Sequence, residues 1–265
     1  MSAPPLPGEP PALMLTAAAL SHPGRQRAEN EDAYGNFADA RLFVVADGMG
    51  GHNAGEVASA MAVDVIETFF RSFHSEPQQA WPYPLDRSLS LAANLLRNGI
   101  KLANDKIRES AAADRSRTRM GTTVVAVAIG EERLAVAHAG DSRAYRFRAG
   151  NLKQLTRDHS VAEEMRAARP EMSEEELATF AHRNVVTRAL GSKEELEPAI
   201  YVGRVQPGDL FLLCTDGLWG VVPDGKIATI LRDAADLQTG CQLLVDAANE
   251  AGGPDNITVL LVRAG

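Results

Sequence analysis

Cysteine is nearly missing from this 265-residue chain. Cys214 and Cys241 are the only two, they form no CxxC pair, and Cys214 lies inside an apolar run. That pattern excludes a disulfide framework and fits a reduced, cytoplasmic protein. No run of eighteen apolar residues occurs, so no membrane span is expected. A basic excess is lacking too: 27 Lys and Arg face 35 Asp and Glu, for a net charge of −8. A polyanion rewards clustered cations, so neither nucleic acid nor an anionic membrane is an expected partner. No Lys or Arg precedes Arg25, which leaves "ALMLTAAAL" (12–20) without the charged start of a signal peptide. It is expected to be the first strand. No internal repeat and no dividing linker is visible, so residues 12–265 are expected to form a single domain.

What the chain does have is an ordinary globular composition, 45% hydrophobic and 23% charged, enough for a sizeable core. Five prolines in residues 1–11 remove backbone donors and predict a flexible tail. Apolar runs predict strands at 42–46, 122–129, 133–139, 143–148, 201–205, 210–214 and 257–263, with "GEER" as a hairpin turn between the second and third. Helical spacing appears at 54–73, where Val57, Met61, Val65 and Phe69 recur, and at 86–110, with further helices at 226–232 and 240–251. Strands in hairpins with helices inserted in pairs indicate an α+β layered domain. Residues 157–191 stand apart, charged and with little apolar face, and read as a solvated surface helix or a flap beside a site.

Four carboxylates share one setting. Asp47 follows "RLFVVA", Asp141 follows "AVAHAG", Asp216 follows "LFLLCT" and Asp255 precedes "NITVLLV". One Asp beside a glycine is ordinary turn chemistry. Four at the ends of buried strands are a different matter, because burying carboxylates is costly unless they are paired or bound to metal. Oxygen donors without a His or Cys cluster select hard cations such as Mg²⁺ or Mn²⁺ over zinc. Gly48, Gly50 and Gly51 beside Asp47 are expected to let backbone and bridging water come close to the ions. "GRQRAENEDAYG" (24–35) adds Glu31 and Asp32 as donors and Arg27 as a fork for a phosphate dianion; a mixed-charge surface is the alternative.

Other chemistries lack support. "GVVPDGKI" (220–227) has phosphate-loop spacing, but Ile227 stands where a Ser or Thr would hold Mg²⁺. No GxSxG occurs. Six positions after the cysteines stand Gly220 and Ala247, not the Arg of a cysteine-nucleophile phosphatase.

Taken together, "RAENEDA", "VVADGMGGHNAGEVAS", "MGTTVVAV", "AGDSRAY", "LTRDHS", "RNVVTRALG", "LLCTDGLW" and "GPDNITVLLV" resemble, in order, the metal-dependent Ser/Thr protein phosphatases of type 2C, bacterial branch. The resemblance runs from about residue 14 to 263. It implies a four-layer α/β/β/α sandwich, two antiparallel sheets flanked by helices, with two Mn²⁺ or Mg²⁺ ions at one edge. By that resemblance Asp47 bridges both ions and the Gly48 carbonyl ligates one. Asp216 and Asp255 complete the first ion; Glu31, mostly through water, and Asp32 support the second. Asp141 with Asp216 forms a third, weaker position. Arg27 binds the substrate phosphate with Arg25 as auxiliary, and residues 160–183 form the flap. A water bridging the ions attacks phosphorus in line. His52 or a metal-bound water protonates the leaving alkoxide, and a turn-fixing role is the equal alternative for His52. The implied partners are phosphorylated proteins and a Ser/Thr kinase that the enzyme opposes. A phosphoprotein-binding pseudophosphatase, or a phosphatase dedicated to one regulatory partner, are the rival readings. Two features depart from the family: His22 in "SHPG" replaces a common Asp, with local structural consequences expected, and no proline precedes "RNVVTRALG".

Overall fold

The computed structural model describes residues 13–50, 54–76, 78–169, 171–172, 176 and 185–265. The proline-rich segment 1–11, Gly51, His52 and part of the expected flap (170, 173–175 and 177–183) lie outside them. The chain opens with β1 (Leu15–His22), β2 (Asp32–Phe37) and β3 (Leu42–Met49), followed by two long helices, α1 (Ala54–Ser75) and α2 (Leu91–Ala113). Next come β4 (Gly121–Thr122), β5 (Val124–Ile129), β6 (Arg133–Ala139), β7 (Arg143–Arg148) and β8 (Asn151–Gln154). After α3 (Val161–Ala168) stand β9 (Ala199–Arg204), β10 (Leu210–Cys214) and the single turn α4 (Asp216–Trp219). α5 (Asp224–Asp233), α6 (Leu237–Glu250) and β11 (Ile257–Ala264) finish the fold.

The strands form two sheets, in the orders β1-β11-β10-β7-β8 and β2-β3-β5-β6-β9, with β4 paired to β3. Every pairing between them is antiparallel. The period of two along a strand explains the layers. In β3, Phe43 and Val45 face the other sheet and meet the layer built by Phe211, Leu213, Leu260 and Val262. Leu42, Val44 and Ala46 point the other way, onto Ile66, Phe69, Leu96 and Ile100 of α1 and α2. The opposite sheet mirrors this, with Leu212, Cys214, Val259 and Leu261 packed against α5 and α6 through Ile227, Leu231, Leu244 and Val245. Both faces of each central strand are therefore covered, and the apolar runs are continuous for that reason. The α/β/β/α sandwich is the architecture expected.

Several boundaries differ from the sequence reading. The helix expected from residue 86 starts at Leu91, because Ser90 caps it by accepting the Ala93 N–H at 3.2 Å. Asp86 instead turns the loop, accepting the Ser88 N–H at 2.8 Å. The strand expected at 122–129 is broken at Thr123, whose hydroxyl is taken by tertiary partners. The first strand runs over Leu15–His22, and β2, β4, β8 and the short α4 had no clear apolar signature. "GEER" is a turn: the Gly130 N–H donates to the Arg133 carbonyl at 2.7 Å. In the 157–191 segment, Ser160 caps α3, which buries none of its side chains.

Candidate metal centre

Sheet register brings the carboxylates together. Asp32 is paired directly with Asp47 across β2 and β3. Asp216 opens α4 just after β10, and Asp255 sits two residues before β11, the neighbour of β10. Asp141 occupies the turn from β6 to β7, where the chain passes from one sheet to the other. Strand ends on a rigid scaffold thus deliver all five to one edge of the sandwich.

Backbone contacts hold much of this edge in place. The Asp47 carbonyl accepts from Thr123 N–H and Thr122 Oγ1, both at 2.8 Å, and its N–H donates to Thr123 Oγ1 at 3.2 Å. Asp32 Oδ2 accepts from Thr215 Oγ1 at 2.9 Å, while Asp32 Oδ1 and Asp216 Oδ1 are buried without a hydrogen-bond partner among the described residues. Burial, first of all, pushes the Asp47 carboxyl well above the usual range, and the charges of Asp32, Asp216, Asp141 and Asp255 add to it. Burial likewise lifts Asp32 to about 7 against the Thr258 and Thr215 hydrogen bonds, and Asp141 to about 7 with Asp216 and Asp158 contributing. Asp216 is raised by burial and by Asp255, and Glu31 by burial. This is an edge with a deficit of positive charge.

Among the described residues no three His, Cys, Asp or Glu side chains close into a ready ligand cage. Like charges hold one another apart, and ions such as Mg²⁺ use few carboxylates each and keep several waters. The oxygen-only donor set and the two orphan buried oxygens fit hard divalent cations.

Gly48 is surrounded by neighbouring backbone, and Gly51 lies outside the described residues. A Cβ on Gly48 would lie 2.2 Å from the Gly55 carbonyl oxygen and 2.5 Å from that of Glu31. The Gly48 N–H also donates to the Glu31 carbonyl at 3.1 Å. Backbone, not open space, adjoins Gly48, and its small size lets the start of α1 and the approach to β2 close on β3. A Cβ on Gly55 would lie 2.7 Å from the Glu31 carboxylate, which accepts a backbone hydrogen bond there.

Arg27 donates from Nη2 to Asp255 Oδ2 at 2.8 Å with 54% of its side chain exposed. Arg25 is exposed, and its N–H donates to the Gly253 carbonyl at 2.8 Å. His22 Nδ1 accepts the Gly24 N–H at 2.9 Å, so this departure from the family pattern anchors the turn that leads to both arginines. Sequence reasoning missed Asn256 and Thr215. Asn256 accepts the Glu31 N–H at 2.9 Å and donates to the carbonyls of Glu29, at 2.8 Å, and Pro23, at 3.1 Å, tying the arginine segment to β11. The only signal for either was its place beside a candidate ligand, in "CTDG" and "PDNIT".

Known proteins resemble the chain over most of its length. The family model described as protein phosphatase 2C matches residues 21–251. The serine/threonine phosphatase stp of Listeria welshimeri is 35% identical over 247 residues, covering 91% of this chain and 92% of that protein. Among solved structures, PppA, described as a key regulatory component of T6SS in Pseudomonas aeruginosa, has a TM-score of 0.78 and 36% identity, over 95% of this chain and 98% of that one. The catalytic domain of the serine/threonine protein phosphatase PstP, solved with two manganese ions, has a TM-score of 0.80 and 32% identity, over 95% and 99%.

Proposed function

The chain belongs to the protein phosphatase 2C family and is a protein serine/threonine phosphatase; from that premise we propose that it works with two Mn²⁺ or Mg²⁺ ions and opposes a Ser/Thr kinase. Asp47 would hold both ions and the Gly48 carbonyl one of them. Asp216 and Asp255 would serve the first, Glu31 through water and Asp32 the second, and Asp141 with Asp216 a weaker third. Bound divalent ions would supply Lewis acidity, acidifying water and neutralising phosphate charge. The remaining work falls to the chain. Thr215 fixes the Asp32 carboxylate through its hydroxyl. Arg27, anchored by one nitrogen on Asp255, has further N–H donors for phosphate oxygens, and exposed Arg25 lies on the same segment. Burial of the Asp32, Asp47, Asp141 and Asp216 carboxyls keeps bulk water from competing there, while Asp255 and Glu31 stay partly exposed.

The observation that carries this reading is the pair of orphan buried oxygens, Asp32 Oδ1 and Asp216 Oδ1, within a group of carboxyls lifted by burial and mutual repulsion. The cytoplasm is the proposed compartment. Cys214 and Cys241 are both free thiols, and no described helix is long and apolar enough to cross a membrane.

A phosphothreonine peptide and p-nitrophenyl phosphate, assayed with Mn²⁺, with Mg²⁺ and with EDTA, test the proposal. Turnover should vanish in EDTA and in a folded Asp216→Ala variant; normal activity in that variant would sink the ligand assignment. No turnover with any cation would favour a phosphoprotein-binding module instead. Activity on a single phosphoprotein in a panel would favour a dedicated regulatory partner, a reading that the likeness to PppA supports.

A further inference from the structure

Residues 158 and 159 hold both flanks of the Asp141 turn. His159 occupies both backbone polar groups of Gly140: the Gly140 N–H donates to His159 Nδ1 at 3.1 Å, and the His159 N–H donates to the Gly140 carbonyl at 3.0 Å. Asp158 grips the other flank, accepting from Arg143 Nη2 at 2.6 Å and Nε at 3.0 Å. Arg143 in turn stacks over Trp219, at 3.5 Å from the ring centroid, on the helix that Asp216 begins. The same residues root the segment that starts at α3. The His159 carbonyl accepts the Thr187 N–H at 2.8 Å, and the Val161 N–H donates to the Val185 carbonyl at 3.0 Å.

The imidazole of His159 is fixed on its other side by His138, whose ring is stacked on it at 4.7 Å between centroids and 7° between planes. His138 is held by its Nε2 on the Arg157 carbonyl at 2.7 Å. With Nδ1 accepting a hydrogen bond, the His159 ring is neutral and carries its proton on Nε2. Burial pushes its pKa down to about 3, so the acceptor persists across the working range. Gly140 cannot easily settle another way. Its φ is +113°, and a Cβ there would meet Thr123 Cβ at 2.4 Å. A peptide N–H in such a place needs an acceptor, and its conformation sets where the next residue, Asp141, points.

We propose that His159 is a positioning residue for the cation site at Asp141: by clasping Gly140 it fixes the Asp141 carboxylate and ties that carboxylate to the root of the α3 segment. The proposal rests on the reading of Asp141 as a cation ligand, and it adds a residue outside the ligand set. A phenylalanine at 159 keeps a flat ring against His138 and removes the acceptor. An asparagine removes the ring and can restore the acceptor through Oδ1.

The test is a calorimetric Mn²⁺ titration of the full chain as wild type, His159→Phe, His159→Asn and Asp141→Asn, with kcat and KM for p-nitrophenyl phosphate measured alongside. The expected result for His159→Phe is a weakening of the weakest Mn²⁺ class by about tenfold with the tighter ions unchanged, equivalent to about 1.4 kcal/mol. KM for substrate at saturating Mn²⁺ should stay near that of the wild type, and His159→Asn should recover most of the lost affinity. An unchanged weak class, an equal loss in every class, or no rescue by asparagine would overturn the proposal. If Asp141→Asn leaves the weak class intact, the ligand reading itself fails, and that result is separate from a His159 variant without effect on a site that Asp141→Asn removes. Should His159→Phe not fold, His159→Leu removes the same acceptor and carries the same expectations.

Discussion

Replacing Asp141 with Asn while cations are stripped by EDTA isolates the electrostatic cost of this edge. Asp141 is 5% exposed, and burial lifts its carboxyl to about 7. An aspartate in the unfolded chain titrates near 4, so the folded protein binds the extra proton between those two values. A folded pKa raised above the unfolded one gives stability that is present at low pH and lost as pH climbs toward 7. Asn cannot ionise, so its advantage should follow that loss. At about 1.4 kcal/mol per pKa unit, the advantage is about 1.5 kcal/mol at pH 5 and about 4 kcal/mol at pH 8. For a domain of this size that corresponds to a Tm gap of roughly 10 °C at pH 8. The assay is thermal and urea unfolding of both proteins at pH 5, 6, 7 and 8 in EDTA, repeated with Mn²⁺. With saturating Mn²⁺ the gap should narrow or reverse, since ligands that bind the native state stabilise it by mass action. A variant no more stable than the wild type at pH 8 in EDTA, or a gap that stays constant with pH, would refute the reasoning.

Three further predictions concern the supports of the site and the core. Thr215→Val removes the hydroxyl that donates to Asp32 and accepts the Thr258 N–H at 3.0 Å, in a fully buried position; a loss of about 2 kcal/mol in urea unfolding is expected. Gly217→Ala would place a Cβ 1.9 Å from the Asn256 carbonyl oxygen, a backbone atom that cannot step aside. A loss of about 3 kcal/mol together with weaker Mn²⁺ binding by calorimetry is expected, and an unchanged Mn²⁺ isotherm would contradict the packing argument. Far from the site, Arg148 pairs with Asp209, whose side chain is fully buried. Arg148→Met should therefore cost about 3 kcal/mol at pH 7, read from the urea midpoint, because it removes the cation and leaves that buried carboxylate the Gln206 N–H as its remaining described partner.

What could be read in the sequence follows from how repetitive each signal is. The central strands were legible because both faces are buried, as with Leu42 to Ala46. β2, β4 and β8 were not. β2 carries Asp32, Gly35 and Asn36, and its pairing is set by register with β3, which no local pattern encodes. The carboxylates stood out because each interrupts an apolar strand end, yet their convergence depends on strand order, and only the family resemblance supplied that. Asn256, Thr215 and His159 were invisible as individuals. Their work is done by hydrogen bonds to residues distant in sequence, such as the 225 positions between Asn256 and Glu31. The small size of Gly48 was legible, but not that it also admits the neighbouring backbone of Gly55 and Glu31.

The distribution of the carboxylates over the two sheets has a mechanical consequence. Asp32 and Asp47 belong to one sheet, Asp216 and Asp255 flank strands of the other, and Asp141 sits on the hinge between them. Ions held by all of them would act as rivets through two plates whose facing layers are greasy and non-directional, with hydrogen bonds such as Thr215 Oγ1 to Asp32 joining them at the same edge. Side chains such as Phe43 and Phe211 resist separation of the plates but offer little resistance to sliding. Rivets at one edge would set the sliding register, and a core substitution that shifts one sheet by a fraction of an ångström would then be felt as altered cation affinity, far from any residue that touches a cation.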